Sequence, residues 1–512
     1  MSPVNRSHID ACTQDAKLAW GAAVAGPADP ADWMAMIAAV QAAQRHLPLV
    51  YRRQFAEPFL DTLGALGAED LRALQERACC ADVLRPLYDI AQAILQRQDR
   101  IWMGPTCAFQ EVVSDLYDGF LSAEDRRGVK PPDRAVIAPL VKWGSGRDPN
   151  PKANQPYTFT ARATAAFRVR TAVVNLPAAH AHQGLAYWAM LGHETCGHDI
   201  LHADIGLLGE LREHVRAAIL ASSPGAADDG PWWAEYWLRR LEETACDVLG
   251  ILHLGPAAVV GFIAGFRGLL AAAGSPPQLR TSEEAGSIYP CDVLRGYIGA
   301  ETVRVLGFSE SDAWAGALAL LVDNDGEPTL TLDGRAIPRD LARGMARTVA
   351  RTLAHTRLRA LEDHTLIDIQ NWRDLDQEIV VKVMAIFDDP SVLQGMEPTQ
   401  RMRLLGGTYA AHVVAAAVTA AAAGLGDIHR IQALMLELLI EMHRNNPAWC
   451  PLQVAYPGDM SMRLAFPSLG LQGTIGARAA EAVKPAAKRS PRGTGAKKAR
   501  AGAQASKEGP GR

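Results

Sequence analysis

Apolar residues recur at three-and-four spacing through "ADWMAMIAAVQAAQRHL" and "DVLRPLYDIAQAILQRQ". That is the period of helices that bury one face. Residues from about 30 to 125 therefore read as helical, and Glu69 or Asp70 is placed to open a helix through "EDLRALQERACC". "WGSGRDPNPKANQPYT", Trp143–Thr158, is rich in Gly, Pro and Asn and reads as a loop. After it, "TFTARATAAFRVRTAVVNLP" combines alternation with β-branched residues and predicts a strand pair that Pro177 ends. Two long helical segments follow, Gln183–Leu220 and Trp232–His253, separated by the loop Ser222–Pro231; Pro231 suits a first helical position. Downstream, "PAAVVGFIAGFRGLLAAAG" and "PCDVLRGYIGAETVRVLGF" read as buried or half-buried helices. "PTLTLDGRAIP" is a hairpin with Asp333-Gly334 at its turn. Helices resume from Asp340 to about His443.

The pattern predicts a mainly α chain of α+β class, with a small sheet just before a helix rich in histidine. It divides as 1–142, an N-terminal helical region; 143–310, a metal-binding core; 311–475, a C-terminal helical region; and 476–512, a disordered basic tail. A length of 512 residues with 48% hydrophobic and 21% charged residues is ample for a sizeable core. The net charge of −4 points to neither nucleic acid nor membrane. The tail is the exception. From Gly476 onward, ten Lys or Arg face two Glu, with almost no large apolar residue. That composition suits a solvated tail or a weak, salt-sensitive contact with nucleic acid or an acidic partner.

Eight cysteines without a C-x-x-C pair argue against a disulfide scaffold or a zinc ribbon. The opening "MSPVNRSHIDACTQDAKLAW" lacks the apolar core of a secretory signal. "AAHVVAAAVTAAAAGLG" is mostly alanine and too short for a membrane span. The expectation is a cytoplasmic protein that does not cross a membrane.

Candidate chemistry concentrates in "LGHETCGHDILHAD", which holds three of the chain's 14 histidines. A catalytic zinc needs three protein ligands, and a carboxylate near its water to act as base. His193 and Glu194 open such a motif, but His198 lies five residues beyond His193. Five residues turn a helix by about 500°, so the rings diverge by about 140°. A one-residue bulge at Gly197 would restore convergence. A rival register, His198-Asp199-x-x-His202, needs no bulge. Fifty residues beyond His193, "LEETACDVLG" places Glu243 and Asp247 one helical turn apart. Glutamate on a following helix is a common third zinc ligand, and an acidic residue four positions later can orient a ligand histidine.

The pair H-E-x-x-G-H and E-E-x-x-x-D resembles the dipeptidyl peptidase III family of zinc peptidases. More loosely, the second half resembles the glutamate zincins. The resemblance implies one Zn2+ on His193, His198 and Glu243, with Glu194 as the general base. It gives Asp247 and Glu242 supporting roles behind the ligands. His202 reads as a further supporting or packing residue.

Around these motifs, several residues carry two readings. Tyr289 and Arg295 are candidates for stabilising a developing oxyanion, or are ordinary packing. Val173–Asn175 is either an edge strand that aligns a substrate or a strand buried in the sheet. His180 and His182 read as exposed loop residues near the helix mouth. Trp232, Trp233 and Trp237 read as core packing, and Cys196 and Cys246 as buried spacers. The functional expectation is a zinc-dependent hydrolase, a metallopeptidase acting on a peptide or small amide, of undetermined oligomeric state. The alternatives are a non-catalytic helical scaffold pinned by the metal and a zinc hydrolase of a non-peptide amide.

Overall fold

The computed structural model describes residues 4–449, apart from 23, 25, 28–31, 78–80, 123–125, 127, 135–136, 145–154, 170, 223–228, 398–399, 402–404 and 447. The expected basic tail lies outside the described residues. So does most of the Gly/Pro-rich stretch after Trp143, although both its ends are strand: Trp143 and Gly144 close β1, and Tyr157 and Thr158 open β2.

The described chain is mainly helical, with one three-stranded sheet and one hairpin. In the sheet, β1 (Leu140–Gly144) runs parallel to β3 (Val173–Pro177), and β2 (Tyr157–Phe159) runs antiparallel to β3, in the order β1-β3-β2. The sheet lies between two apolar clusters. Leu140 and Val173 join a cluster built from the helices between Trp33 and Ile94. Val141, Trp143, Val174 and Leu176, on the opposite face, join the larger cluster that runs from Val4 to Met442. The alternation read from the sequence is thus the two-faced burial of a pleated strand. Lys142 is buried with β1 and pairs with Asp89 at 2.6 Å, beside Gln92 at 2.7 Å.

β3 is the central strand and wholly buried, so of the two readings of Val173–Asn175 the strand buried in the sheet is the one found; β1 and β2 lie at the edges. Two expectations change here. His180 is buried rather than exposed, stacked 4.2 Å from the ring of Tyr187, while His182 is exposed. The two long helical segments are each broken. The first divides into Ala186–Cys196, a short 3-10 turn at Ile200–His202, and Leu207–Ser222. The second divides into Asp229–Arg239 and Leu241–Leu254, so Pro231 stands inside the first turn rather than at its start. The break falls at buried Arg240, whose guanidinium turns aside to Glu283 and Asp333, both at 2.8 Å.

Other expectations hold. The hairpin Thr329–Leu332 with Arg335–Pro338 turns on Asp333 and Gly334, both at positive φ. Trp233 and Trp237 are core residues. The alanine-rich helix Ala410–Ala423 is buried in the main core, and among the described residues no helix is long and apolar enough to cross a membrane.

One buried group makes the fold sensitive to pH. Glu111, on helix Met103–Leu121, is fully buried, with His443 Nδ1 at 3.1 Å and the Asn446 amide at 3.1 and 3.3 Å from its two oxygens. Burial raises its pKa from 4.5 to about 8, against the lowering effect of Asn446. A carboxyl whose folded pKa is raised contributes stability below its unfolded pKa and loses it as pH rises toward the folded value. Wild-type protein should therefore lose Tm between about pH 4.5 and 8 relative to Glu111→Gln. Thermal melts of both proteins across that window check this; a Tm difference that does not change with pH would contradict it.

Candidate metal centre

Two helices build the site, Ala186–Cys196 and Leu241–Leu254, crossing with their backbones nearly in contact. A Cβ on Gly250 would lie 2.8 Å from the carbonyl carbon of Gly192 and 2.9 Å from the amide nitrogen of His193. A Cβ on Gly192 would lie 3.0 Å from Gly250 Cα, and one on Gly197 would lie 2.8 Å from Cys246 Cα. No side chain fits at these three points, and their absence lets one helix lie in the groove of the other.

The awkward five-residue spacing is resolved by a break, not a bulge. The helix stops at Cys196, and Gly197 leaves it with φ −92° and ψ −79°. His193 thus projects from the last helical turn and His198 from the turn that follows. The rings lie 5.6 Å apart, centroid to centroid, at 84° to one another. Glycine at 197 is demanded by the proximity of Cys246 rather than by a special backbone angle.

Glu243 Oε2 lies 3.2 Å from His193 Nε2 and 3.9 Å from His198 Nε2. This oxygen is buried and closes no hydrogen bond among the described residues, although His193 Nε2 approaches it at 3.2 Å. An acceptor buried beside two imidazole nitrogens yet bonded to neither suits atoms aimed at a common point between them. Ligands around a tetrahedral zinc, with bonds of about 2.0–2.2 Å, sit roughly 3.3–3.6 Å apart. The two contacts of Glu243 Oε2, at 3.2 and 3.9 Å, fall on either side of that spacing. Among the described residues, the group whose donor atoms all lie within 4.8 Å of one another is His193, His198 and Cys246. Cys246 Sγ, however, faces His198 Nδ1, at 3.8 Å. Burial first, and then the surrounding carboxylates, push its thiol well above the usual range, whereas metal binding needs the thiolate.

The other face of each histidine is held. His193 Nδ1 lies 2.7 Å from Asp247 Oδ1, and Arg295 grips both oxygens of Asp247, at 2.7 and 2.8 Å. This chain fixes the His193 ring so that Nε2 points at Glu243. Burial works against ionisation of both Asp247 and His193. Arg295 and His193 nevertheless bring Asp247 down to about 2, and Asp247 with Glu243 brings His193 up to about 10. Glu242 Oε1 lies 3.6 Å from His198 Nδ1 and 3.4 Å from His202 Nε2, and these contacts lower its pKa. Four carboxylates, Glu194, Glu242, Glu243 and Asp247, thus lie on the two helices that build the site, and the Arg295 guanidinium pairs with Asp247. That excess of negative charge favours a cation.

The rival register does not assemble. His202 turns its Nε2 to Glu242, and Asp199 accepts from the backbone N–H of Ala161 at 2.9 Å. Arg295 is not free to meet a substrate oxygen. It is buried, committed to Asp247, and packed against Phe266 and Phe262 at 4.5 and 5.6 Å. Its place is behind His193, as a positioning residue. Tyr289 is 41% exposed, with the Arg295 guanidinium 5.8 Å from its ring, and burial, then the charges of Glu243 and Glu194, raise its phenol. Tyr297 is engaged elsewhere, donating to Asp323 at 2.6 Å. Cys196 is a buried spacer.

One residue lay outside the sequence reading. Thr158 Oγ, on edge strand β2, is 2.7 Å from the carbonyl oxygen of Glu194 and 3.1 Å from its Oε2. A turn-rich stretch concealed it. No protein-family model matches this chain, and neither curated proteins nor solved structures show significant similarity to it.

Two outcomes follow from the geometry. Asp247→Asn removes the charge that orients His193 and should weaken metal binding by about 10–100-fold, read by competition with a chromophoric chelator. Gly250→Val forces the helices apart and should cost about 1–3 kcal/mol of stability together with bound metal, read by melting and elemental analysis. Full metal content in the refolded Gly250→Val protein would contradict the packing argument.

Proposed function

We propose that the chain is a metal-dependent hydrolase, with zinc as the ion and a peptide or small amide as the substrate. The observation that carries this reading is the buried, donorless Glu243 Oε2, facing the Nε2 atoms of His193 and His198. Zinc held there would supply a Lewis acid that acidifies a water and polarises an amide carbonyl. Glu194 is the residue that would take the proton and return it to the leaving nitrogen. Thr158 steadies its Oε2 from β2. Tyr289, part exposed and with its phenol raised by burial and then by the charges of Glu243 and Glu194, is the residue that would donate to a developing oxyanion. Asp247 and Arg295 keep His193 in one orientation.

The alternative of a purely structural metal site requires a fourth protein ligand. Cys246 is the residue within reach to supply it, and its raised thiol pKa weighs against that role; His202 is drawn to Glu242. The arrangement is also the one implied by the resemblance to dipeptidyl peptidase III and the glutamate zincins, and membership of that group is part of the same proposal.

Glu194→Gln is the test. It should keep one metal equivalent per chain and lower the hydrolysis of a peptide library by about 10²–10⁴-fold. Wild-type protein that binds stoichiometric metal but cleaves no peptide or amide would overturn the hydrolase reading and leave the metal site standing.

A further inference from the structure

The metal helix and the turn beyond it also border a second hollow. A cavity of about 930 Å³ opens between the turn at Asp199–Ala203, the segment 161–168 and the helical stretch around Arg53. That volume suits a small ligand. Four arginines line it: Arg53, Arg134, Arg162 and Arg168. Among the described residues, Arg53, Arg162 and Arg168 have no carboxylate partner, and all four are exposed.

Two carboxylates share the wall, and they differ. Asp133 is satisfied by the Lys130 side chain and by the backbone N–H of Ile205 at 2.8 Å. Asp199 is only 8% exposed; its Oδ1 accepts from Ala161, while its Oδ2 is buried with no donor. A buried acceptor without a donor is costly, and a ligand that brings a donor relieves that cost. Unpaired guanidinium groups gathered round one hollow call for the opposite chemistry, a planar or tetrahedral oxyanion that they can grip in pairs of hydrogen bonds.

We propose that this cavity is a binding site for a small anion that also carries a hydrogen-bond donor. Its carboxylate or phosphate rests on Arg162, Arg168 and their neighbours, and its ammonium or hydroxyl donates to Asp199 Oδ2. The site is separate from the metal centre, since its lining includes none of His193, Glu194, His198 and Glu243. The two are nevertheless joined. His202, on the cavity wall, shares Glu242 Oε1 with His198, so a ligand against His202 bears on the orientation of a metal-binding ring.

Calorimetric titration of the full-length protein tests the proposal, with glutamate and phosphoserine as the carboxylate and phosphate probes. Glutarate, which lacks the ammonium donor, is the control. At least one of the first two should bind with Kd below about 10 mM. The combined Arg162→Ala and Arg168→Ala change should weaken that binding by about tenfold or more. Glutarate should bind several-fold more weakly than glutamate, a difference that Asp199→Asn removes. Tighter binding of phosphoserine assigns a phosphate, and tighter binding of glutamate a carboxylate. Failure of both probes to bind at 10 mM, or binding that survives the double arginine change, overturns the site. Equal binding of glutarate and glutamate overturns the role of Asp199. Both substituted arginines are exposed, so melting curves should confirm an unchanged fold. The readout is binding alone, so it stands or falls independently of hydrolysis.

Discussion

Everything at the candidate centre depends on how closely two helices approach. Gly192 meets Gly250, and Gly197 meets Cys246, with no room for a Cβ at any of the three glycines. At ordinary interaxial distances of 8–10 Å, Glu243 and Asp247 would stand away from His193 instead of clasping it from two sides. The backbone contact converts two separate motifs into one site. It also locates the break after Cys196, since the chain must leave the helix where Cys246 blocks the way.

That contact has an electrostatic consequence. It brings together four carboxylates and two imidazoles, with the Arg295 guanidinium paired to Asp247. Arg295 offsets Asp247 and leaves Glu243 without a donor. Asp247 and Glu243 together favour a proton on His193 and raise its pKa to about 10. A divalent cation would replace that proton and complete the coordination of Glu243 Oε2 at the same time. The histidines are thus oriented from behind by Asp247, Arg295 and Glu242.

Much of this was legible in the sequence, for physical reasons. Helical periodicity identified most helices, and Asp333-Gly334 identified the hairpin. The four-residue interval between Glu243 and Asp247 placed both on one face of a helix. His193, His198, Glu243 and Asp247 meet as those intervals suggested. What stayed hidden depended on tertiary contact. The five-residue spacing could be reconciled by a bulge or by a break, and only the neighbouring helix decides between them. Arg295 read as a donor to substrate because its partner, 48 positions earlier, is visible only in the fold. Of the two readings of Val173–Asn175 the buried one was found, because strand order, not strand pattern, determines which strand lies at the edge. Gly192 and Gly250 gave a signal that could have been followed: a small residue on each of the two helices, one of them next to the first histidine.

The central claim is that Glu243, not Cys246, completes the metal set with His193 and His198. X-ray absorption at the zinc edge on the zinc-loaded protein tests it most directly. The account predicts a first shell of nitrogen and oxygen at about 2.0–2.2 Å with no sulfur scatterer, and that shell should be unchanged in Cys246→Ala. A sulfur contribution near 2.3 Å, or full zinc occupancy in Glu243→Ala, would contradict it.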